Sequence, residues 1–428
     1  MLLDHSNSKP RTQLAGAKTV KNKVFLYSAA SPLSPGGRHC PSKGAPRLRE
    51  MINTLMAEMR DCDVAVVGAG VIGAAIAYEL ATRGASVTLL DGRGAGLGST
   101  RASAGMLVPY HEGFGQPLLP MATASLSLYD AFVDRLSRDA GIGIGYCRTG
   151  SLQVVSAEQP IDELQAISDA ARAEGLECEL LDARGAREAE PQLTPDVGGA
   201  LLMKSHGFVI ASDLSGALAA GAIKHGVRVR VPARVERIES RGDDIIIHLE
   251  NDAVVTAHQV VVAAGSWSGQ IDIRGIPRLP VRPVRGQLLH LATDALQLRR
   301  IVWGPRCYLV PATRHSVLVG ATVEDAGFDE RTTVAGVRDL LDSACDLVPH
   351  LWRAAFVEAR VGLRPASEDE MPIIGRSVIM PGLIYATAHY RNGVLLAPLT
   401  ARAVADLVLD NREDPLLAAA SPQRFGEF

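Results

Sequence analysis

A chain of 428 residues is too long for one simple core and long enough for two domains. With 47% apolar and 21% charged residues it reads as an ordinary folded protein, and a net charge of −3 provides no global field to attract nucleic acid or an anionic membrane. No uncharged apolar run reaches the roughly 18–20 residues that span a bilayer, and the six scattered cysteines and eleven histidines show no metal-ligand spacing. The expectation is a cytoplasmic protein with free thiols, no metal and no integral membrane segment.

The first fifty residues hold nine Lys or Arg against only Asp4 and Glu50, and sustain no helical or strand period. Such a segment buries too little apolar surface to offset its ordering entropy. Residues 1–60 therefore read as a disordered basic extension, or as sequence ahead of a start at Met51, Met56 or Met59. A transit peptide is the lesser alternative.

Folded structure is expected from Asp61. The run D-V-A-V-V-G at Asp63–Gly68 predicts a buried strand, Ile72–Arg83 a helix, and Val87–Leu90 a second strand ending at Asp91. This βαβ unit makes its strands parallel neighbours. A Gly/Ser/Thr-rich loop over residues 92–105 precedes a helix at 118–140. A strand at 147–155, helices at 160–175 and 182–190, and a helix at 213–225 with Ser212 or Asp213 as N-cap follow. Strands are expected at 227–231, 233–239, 244–250, 260–264, 287–291, 307–311 and 316–322, then a helix at 332–347, a strand at 383–387 and a helix at 393–409. The order implies an α/β fold: a Rossmann-like nucleotide-binding domain (61–145, 208–276, 360–428) interleaved with a β-rich substrate domain of antiparallel sheet plus helices (146–207, 277–359).

Gly68-Ala69-Gly70-Val71-Ile72-Gly73 lies between the first strand and its helix. Gly68 permits the tight turn, Gly70 lets the backbone approach a pyrophosphate, and Gly73 lets helix and strand pack closely. The helix N-terminus turns unpaired N–H groups and a positive dipole end toward the phosphates. Asp91 can bind ribose hydroxyls and disfavours a 2′-phosphate. A chance glycine-rich turn would not bring strand, helix, second strand and acid together. The small, hydroxyl-bearing loop Gly98–Met106 suits a flavin dinucleotide better than a nicotinamide one.

At this point the residues carry a resemblance. R-A-S-A-G-M-L at Arg101–Leu107, C-Y-L-V-P at Cys307–Pro311, V-G-A-T at Val319–Thr322, G-L-R-P at Gly362–Pro365 and H-Y-R-N-G-V-L-L-A-P at His389–Pro398 resemble the D-amino-acid-oxidase superfamily of FAD-dependent oxidoreductases, above all the thiamine-pathway glycine oxidases. The similarity runs from about Asp63 to Leu409. It implies non-covalent FAD, since residues 359–376 contain no cysteine to bond it. It implies that Val71, Ile72, Asp91, Gly92, Ser99, Thr100, Ala104, Gly105, Met106 and Val235 hold FAD, with His389, Tyr390, Arg391, Asn392, Gly393, Val394 and Leu395 along the flavin. Arg364 would pair with the substrate carboxylate, Tyr308 would donate to it, and Arg391 would flank substrate and flavin. Val323 and Arg306 depart from the family pattern at the border of the pocket.

The implied reaction is hydride transfer from Cα of glycine, sarcosine or a small D-amino acid to flavin N5. Imine hydrolysis and reoxidation by O2 to H2O2 would follow. Arginine suits the carboxylate because its planar fork makes two parallel charge-assisted bonds. A D-amino-acid dehydrogenase passing electrons to a quinone, and a non-catalytic FAD-bound assembly protein, are the rival readings. Expected partners are a small amino-acid substrate, O2 or another electron acceptor, and further copies of the chain in a homo-oligomer. Without the motifs, Arg364 would read as a structural ion-pair residue and Tyr308 as a core tyrosine. His389 reads as a packing residue, Trp267 and Trp303 likewise, and His206, His225 and His315 as surface residues.

Overall fold

A computed structural model describes residues 60–110, 117–159, 161–173, 175–294, 297–313 and 315–428. The expected N-terminal extension lies outside the described residues, apart from Arg60. In chain order the elements are β1 (Cys62–Val67), α1 (Val71–Thr82), β2 (Val87–Leu90), β3 (Met106–Leu107), α2 (Leu119–Ala140), β4 (Tyr146–Cys147), β5 (Ser151–Ser156), α3 (Asp162–Ala173), β6 (Cys178–Asp182), α4 (Ala183–Ala189), β7 (Val197–Met203), β8 (Gly207–Val209) and α5 (Ala211–Lys224). They continue with β9 (Arg228–Arg230), β10 (Val235–Arg241), β11 (Asp244–Leu249), β12 (Val254–Val262), β13 (Asp272–Ile273), β14 (Arg282–Ala292), β15 (Ile301–Trp303), β16 (Tyr308–Thr313), β17 (Ser316–Gly320), α6 (Val334–Leu347), β18 (Ala355–Ala366), β19 (Ile373–Arg376), β20 (Leu383–Thr387) and α7 (Gly393–Asp410).

The first sheet is built on β1. Its run of Val and Ala is buried at all but Asp63, as a central parallel strand covered on both faces requires. It pairs in parallel with β2 on one side and β12 on the other. Beyond β2 comes β9, and β20 pairs in parallel with the end of β12. The β10–β11 hairpin joins antiparallel to the start of β12. Helix α1 is buried on nearly every side, because α5 and α7 pack on it as well as the sheet.

The second sheet has the order β18-β14-β17-β16-β15-β5-β7-β6 and is mostly antiparallel. Its longest ladder joins β14 to β18, with Val284 opposite Arg364 and Gly286 opposite Gly362. Strand β18 runs unbroken through 359/360, where the sequence reading places a domain boundary. β6 and β7 were not expected as strands. The glycines Gly198 and Gly199 mask the period of β7, yet both give room where a Cβ would meet strand backbone within 3 Å.

Helix α5 begins at Ala211 with Ile210 as N-cap and no side-chain cap, against the expected Ser212 or Asp213. The Asp213 carboxylate accepts from Gly145 N–H at 3.1 Å instead, so it ties a neighbouring loop. His206 is also a correction: it is 2% exposed, with Nδ1 at 2.7 Å from the Ser151 hydroxyl.

Helix α7 carries Pro398 in its interior. Proline has no N–H, so the Val394 carbonyl one turn back loses its helical donor. Tyr129 of α2 supplies the replacement, its hydroxyl donating to Val394 O at 2.5 Å. Ser125 bridges the next gap: it donates to Leu395 O at 2.7 Å and accepts from Leu399 N–H at 3.2 Å. Tyr129→Phe should leave Val394 O buried without a donor and cost about 1–3 kcal/mol. Thermal unfolding should show a midpoint several degrees lower; an unchanged midpoint would refute this account of the helix.

Candidate active site

A cavity of about 700 Å³ runs from the β1–α1 turn to the mouth of the second sheet. At one end its wall is the glycine-rich turn. Gly68 has φ +106°, and a Cβ there would lie 2.4 Å from Ala263 O, so no other residue fits. A Cβ at Gly73 would lie 1.8 Å from Gly68 O. Gly73 does not line the cavity. Gly73 and Ala69 are the fingerprint residues that do not line it, and the clash at Gly73 marks a packing role.

The start of α1 has no side-chain cap at Gly70. Val71 N–H donates to Thr100 Oγ1 at 3.0 Å. Asp91 accepts from Ala69 N–H at 2.8 Å and from Arg93 and Gly94 N–H at 2.7 Å each. Its carboxylate is thereby fixed at the end of β2, facing the turn. Val71, Ile72, Gly92, Ser99, Ala104, Gly105, Met106 and Val235 line the same wall. Bare backbone at Gly70, a helix N-terminus and a fixed acid are what a dinucleotide needs, and a cavity of this size is large enough for one to bury most of its surface. The residues present fit FAD.

The stretch from His389 to Leu395 lines the middle of the cavity. Ala388 and Tyr390 take positive φ, 58° and 46°. Strain at two non-glycine residues astride His389 persists only where the surroundings over-determine it. Tyr390 N–H donates to Pro365 O at 2.9 Å, binding this turn to β18. His389 is 3% exposed with Nε2 at 3.1 Å from the Thr400 hydroxyl. Burial pushes its pKa down to about 3, so the ring is neutral.

At the far end stand Tyr308, Arg364 and Arg391. The Arg364 guanidinium donates through Nη1 to Thr322 O at 3.0 Å and Arg285 O at 3.4 Å. Among the described residues no carboxylate lies within ion-pair distance of it. Burial pushes its pKa down from the ordinary arginine value, yet a guanidinium stays charged at neutral pH. Burial also pushes the Tyr308 phenol up, leaving it a donor. Arg391 lies over the Tyr390 ring at 4.9 Å and donates to its hydroxyl at 3.2 Å.

Two glycines that sequence reasoning missed seat these groups. A Cβ at Gly286 would lie 2.4 Å from Arg364 Cζ, and one at Gly320 would lie 2.4 Å from the Tyr308 hydroxyl. Each faces its partner across a strand pair; Gly320 lies in the V-G-A-T run, but nothing local in the sequence marks its seating role or marks Gly286. Trp303 and Trp267, expected only to pack, also line the cavity. Trp303 meets Tyr308 with ring centroids 5.1 Å apart. The departures Val323 and Arg306 both border the cavity. No group of three His, Cys, Asp or Glu among the described residues could hold a metal ion, and no described helix is long and apolar enough to cross a membrane.

Residues 63–407 match the family of FAD dependent oxidoreductases. The chain belongs to this family. Glycine oxidase from Geobacillus kaustophilus is 36% identical over 349 residues, 81% of this chain and 92% of that protein. The crystal structure of glycine oxidase from that organism superposes with a TM-score of 0.81, covering 85% of this chain and 98% of that one. Iminodiacetate oxidase from Chelativorans sp. BNC1 superposes with a TM-score of 0.76 at 28% identity, over 84% of this chain and 98% of that one. A bifunctional ThiO/ThiG protein from Nostoc sp. is 36% identical over 83% of this chain, which spans 54% of its length. The chain is an FAD-dependent enzyme of the amino-acid-oxidase type, similar to glycine oxidases.

Two expectations follow for this oxidoreductase. The folded state keeps His389 neutral while the unfolded chain binds a proton below about pH 6.5. Its contribution is therefore present above pH 6.5 and lost as pH falls toward 3, by up to about 1.4 kcal/mol per pH unit. His389→Gln should lose less thermal midpoint than the parent between pH 7 and pH 5. Gly286→Ala should displace only the mobile tip of Arg364, keep FAD, and weaken binding of acetate about tenfold or more, read from the flavin spectrum.

Proposed function

We propose that this chain catalyses oxidative deamination of glycine or a similarly small amino acid or amine, such as sarcosine or a small D-amino acid. The observation that carries the proposal is a charged Arg364 facing the cavity beside a protonated Tyr308, with no carboxylate among the described residues as partner. A buried guanidinium without an anion is costly, and the carboxylate of an amino acid removes that cost by two parallel charge-assisted bonds. Tyr308 then donates to the same carboxylate. Two donors on one acid group fix the rotation of the substrate, and orientation supplies much of the rate.

FAD, which the walls formed by the β1–α1 turn, the Gly98–Met106 loop and the His389–Leu395 stretch would hold, would supply the two-electron acceptor for the Cα hydride, with O2 as the final acceptor giving H2O2. The chain's own residues position and stabilise. Among the described residues at this end no side chain is a competent base: burial keeps Tyr308 protonated and holds the His389 imidazole at a pKa of about 3, too low to take a proton at neutral pH. The amine must therefore enter or become neutral, and its lone pair stabilises the cationic carbon as the hydride departs. Water then hydrolyses the imine to the oxo acid and ammonia, or methylamine in the case of sarcosine. The N-terminus of α7 at Gly393 presents unpaired N–H groups and a positive dipole end to the cavity, and Arg391 adds a full charge there. Both favour the side of the reaction on which negative charge has built up. Similarity to the ThiO/ThiG protein supports a place in thiamine synthesis.

An anaerobic panel of small amino acids and amines, scored by bleaching of the bound flavin, tests the substrate class. Glycine-like compounds should bleach it, and a yellow protein that no member bleaches would sink the reading. Arg364→Ala should raise KM by about 100-fold or more, the cost of removing one partner of a buried charged pair. Reoxidation should accelerate with dissolved O2 in stopped flow.

A further inference from the structure

Behind the wall that carries Arg364 lies a half-buried polar cluster that the chemistry above does not use. Lining residues and cluster residues alternate along two segments. Gly286, Ala321 and Val323 face the cavity, while Arg285, Gln287, Thr322 and Glu324 join one another. Glu324 Oε1 accepts from Gln287 Nε2 at 2.7 Å and from the Thr322 hydroxyl. Its Oε2 accepts from Arg285 Nε at 3.1 Å and Nη2 at 2.6 Å. Four donors fill the carboxylate's acceptor sites. Burial opposes the Glu324 charge, but the bonds from Thr322, Gln287 and Arg285 outweigh it and hold the carboxyl below its ordinary pKa.

The backbone is zipped in the same place. Arg285 and Glu324 exchange N–H to carbonyl bonds at 2.9 Å both ways. Thr322 N–H donates to Gln287 O at 3.2 Å, and Gln287 N–H to the Thr322 hydroxyl at 2.8 Å. The carbonyls that receive Arg364 Nη1 are those of Thr322 and Arg285. Both belong to residues whose side chains Glu324 binds. Resting on the function proposed above, we propose that Glu324 is a positioning residue: through Arg285, Gln287 and Thr322 it fixes the two carbonyls that aim Arg364, and so sets affinity for the substrate carboxylate without touching it.

A glutamine cannot replace it. Glu324 faces donors on both oxygens, so an amide NH2 would confront either Gln287 Nε2 or the Arg285 guanidinium. Arg285 would keep its second partner, Asp329, at 3.0 Å, so the fold should survive. The cost falls on the alignment of the Thr322 and Arg285 carbonyls.

The test uses the FAD-loaded full chain with Glu324→Gln, Thr322→Val and Arg364→Ala, and acetate as a carboxylate probe read from the flavin spectrum. Glu324→Gln should raise KM and the acetate Kd together by about tenfold, the size of one charge-assisted bond. It should leave kcat within about threefold and FAD content unchanged. Thr322→Val should shift both constants in the same direction by less, and serves if Glu324→Gln does not fold. In the Arg364→Ala background, Glu324→Gln should add nothing, which a merely structural role would not produce. Unchanged KM and acetate Kd, or equal effects with and without Arg364, would overturn the role of Glu324. If Arg364→Ala itself leaves acetate binding intact, the carboxylate-clamp reading fails instead.

Discussion

At the far end of the cavity stands a positive charge, Arg364, with no carboxylate among the described residues to neutralise it. A guanidinium held out of water without an anion costs several kcal/mol, and proteins ordinarily meet that cost with a carboxylate. Here two arginines on the same pair of strands are provided for: Arg285 has Glu324 and Asp329, and Arg360 has Glu358. Arg364 has two backbone carbonyls. Carbonyls orient a guanidinium and offset part of its desolvation, but they carry no charge. An acid group on a ligand would supply what remains, as in the function proposed above.

Everything at that end of the cavity serves the placement of this group. Gly286 gives it a flat seat, and Gly320 does the same for Tyr308. The ties run on from there to the cofactor wall. The loop after β2 is bound to the strand of Arg364 by the Ser99 hydroxyl, which donates to Leu363 O, and Ser266 donates to the same carbonyl at 2.8 Å. The strained turn around His389 is bound to Pro365, one residue past Arg364. Thus the strand β18, at the edge of the second sheet, is hydrogen-bonded to three segments that line the cavity. The proposed catalysis by orientation requires its two binding surfaces in one rigid frame, and these bonds tie the two walls together.

The sequence was legible where the physical demand is local. The β1–α1–β2 unit announces itself because a tight turn, a close helix and an acid at the end of β2 each restrict one position to few residue types. The turn His389–Gly393 and the run after it are similarly unusual, and the strain at Ala388 and Tyr390 gives the reason. What was not legible depends on a partner far away in the chain. Gly286 and Gly320 are needed only because Arg364 and Tyr308 pack across strand pairs. Asp213 looked like a helix cap until Gly145 arrived from another element. His206 looked like a surface residue until Ser151 and Tyr110 enclosed it, the latter with ring centroids 5.4 Å away.

Pro398 shows the same division within one helix. Read alone, a proline six residues into a helix argues for a break, yet α7 continues to Asp410. The continuation is possible because Tyr129 and Ser125, on α2, repair the two bonds that the proline ring disrupts. Both repairs lie in the first two turns, where Gly393, Val394 and Leu395 face the cavity. A helix tied there by its neighbour, and not only by its own ladder, holds its N-terminal N–H groups in a fixed direction. The packing of α2 on α7 is therefore part of the electrostatics of the site, since a helix end stabilises a nearby negative charge only while it points at it.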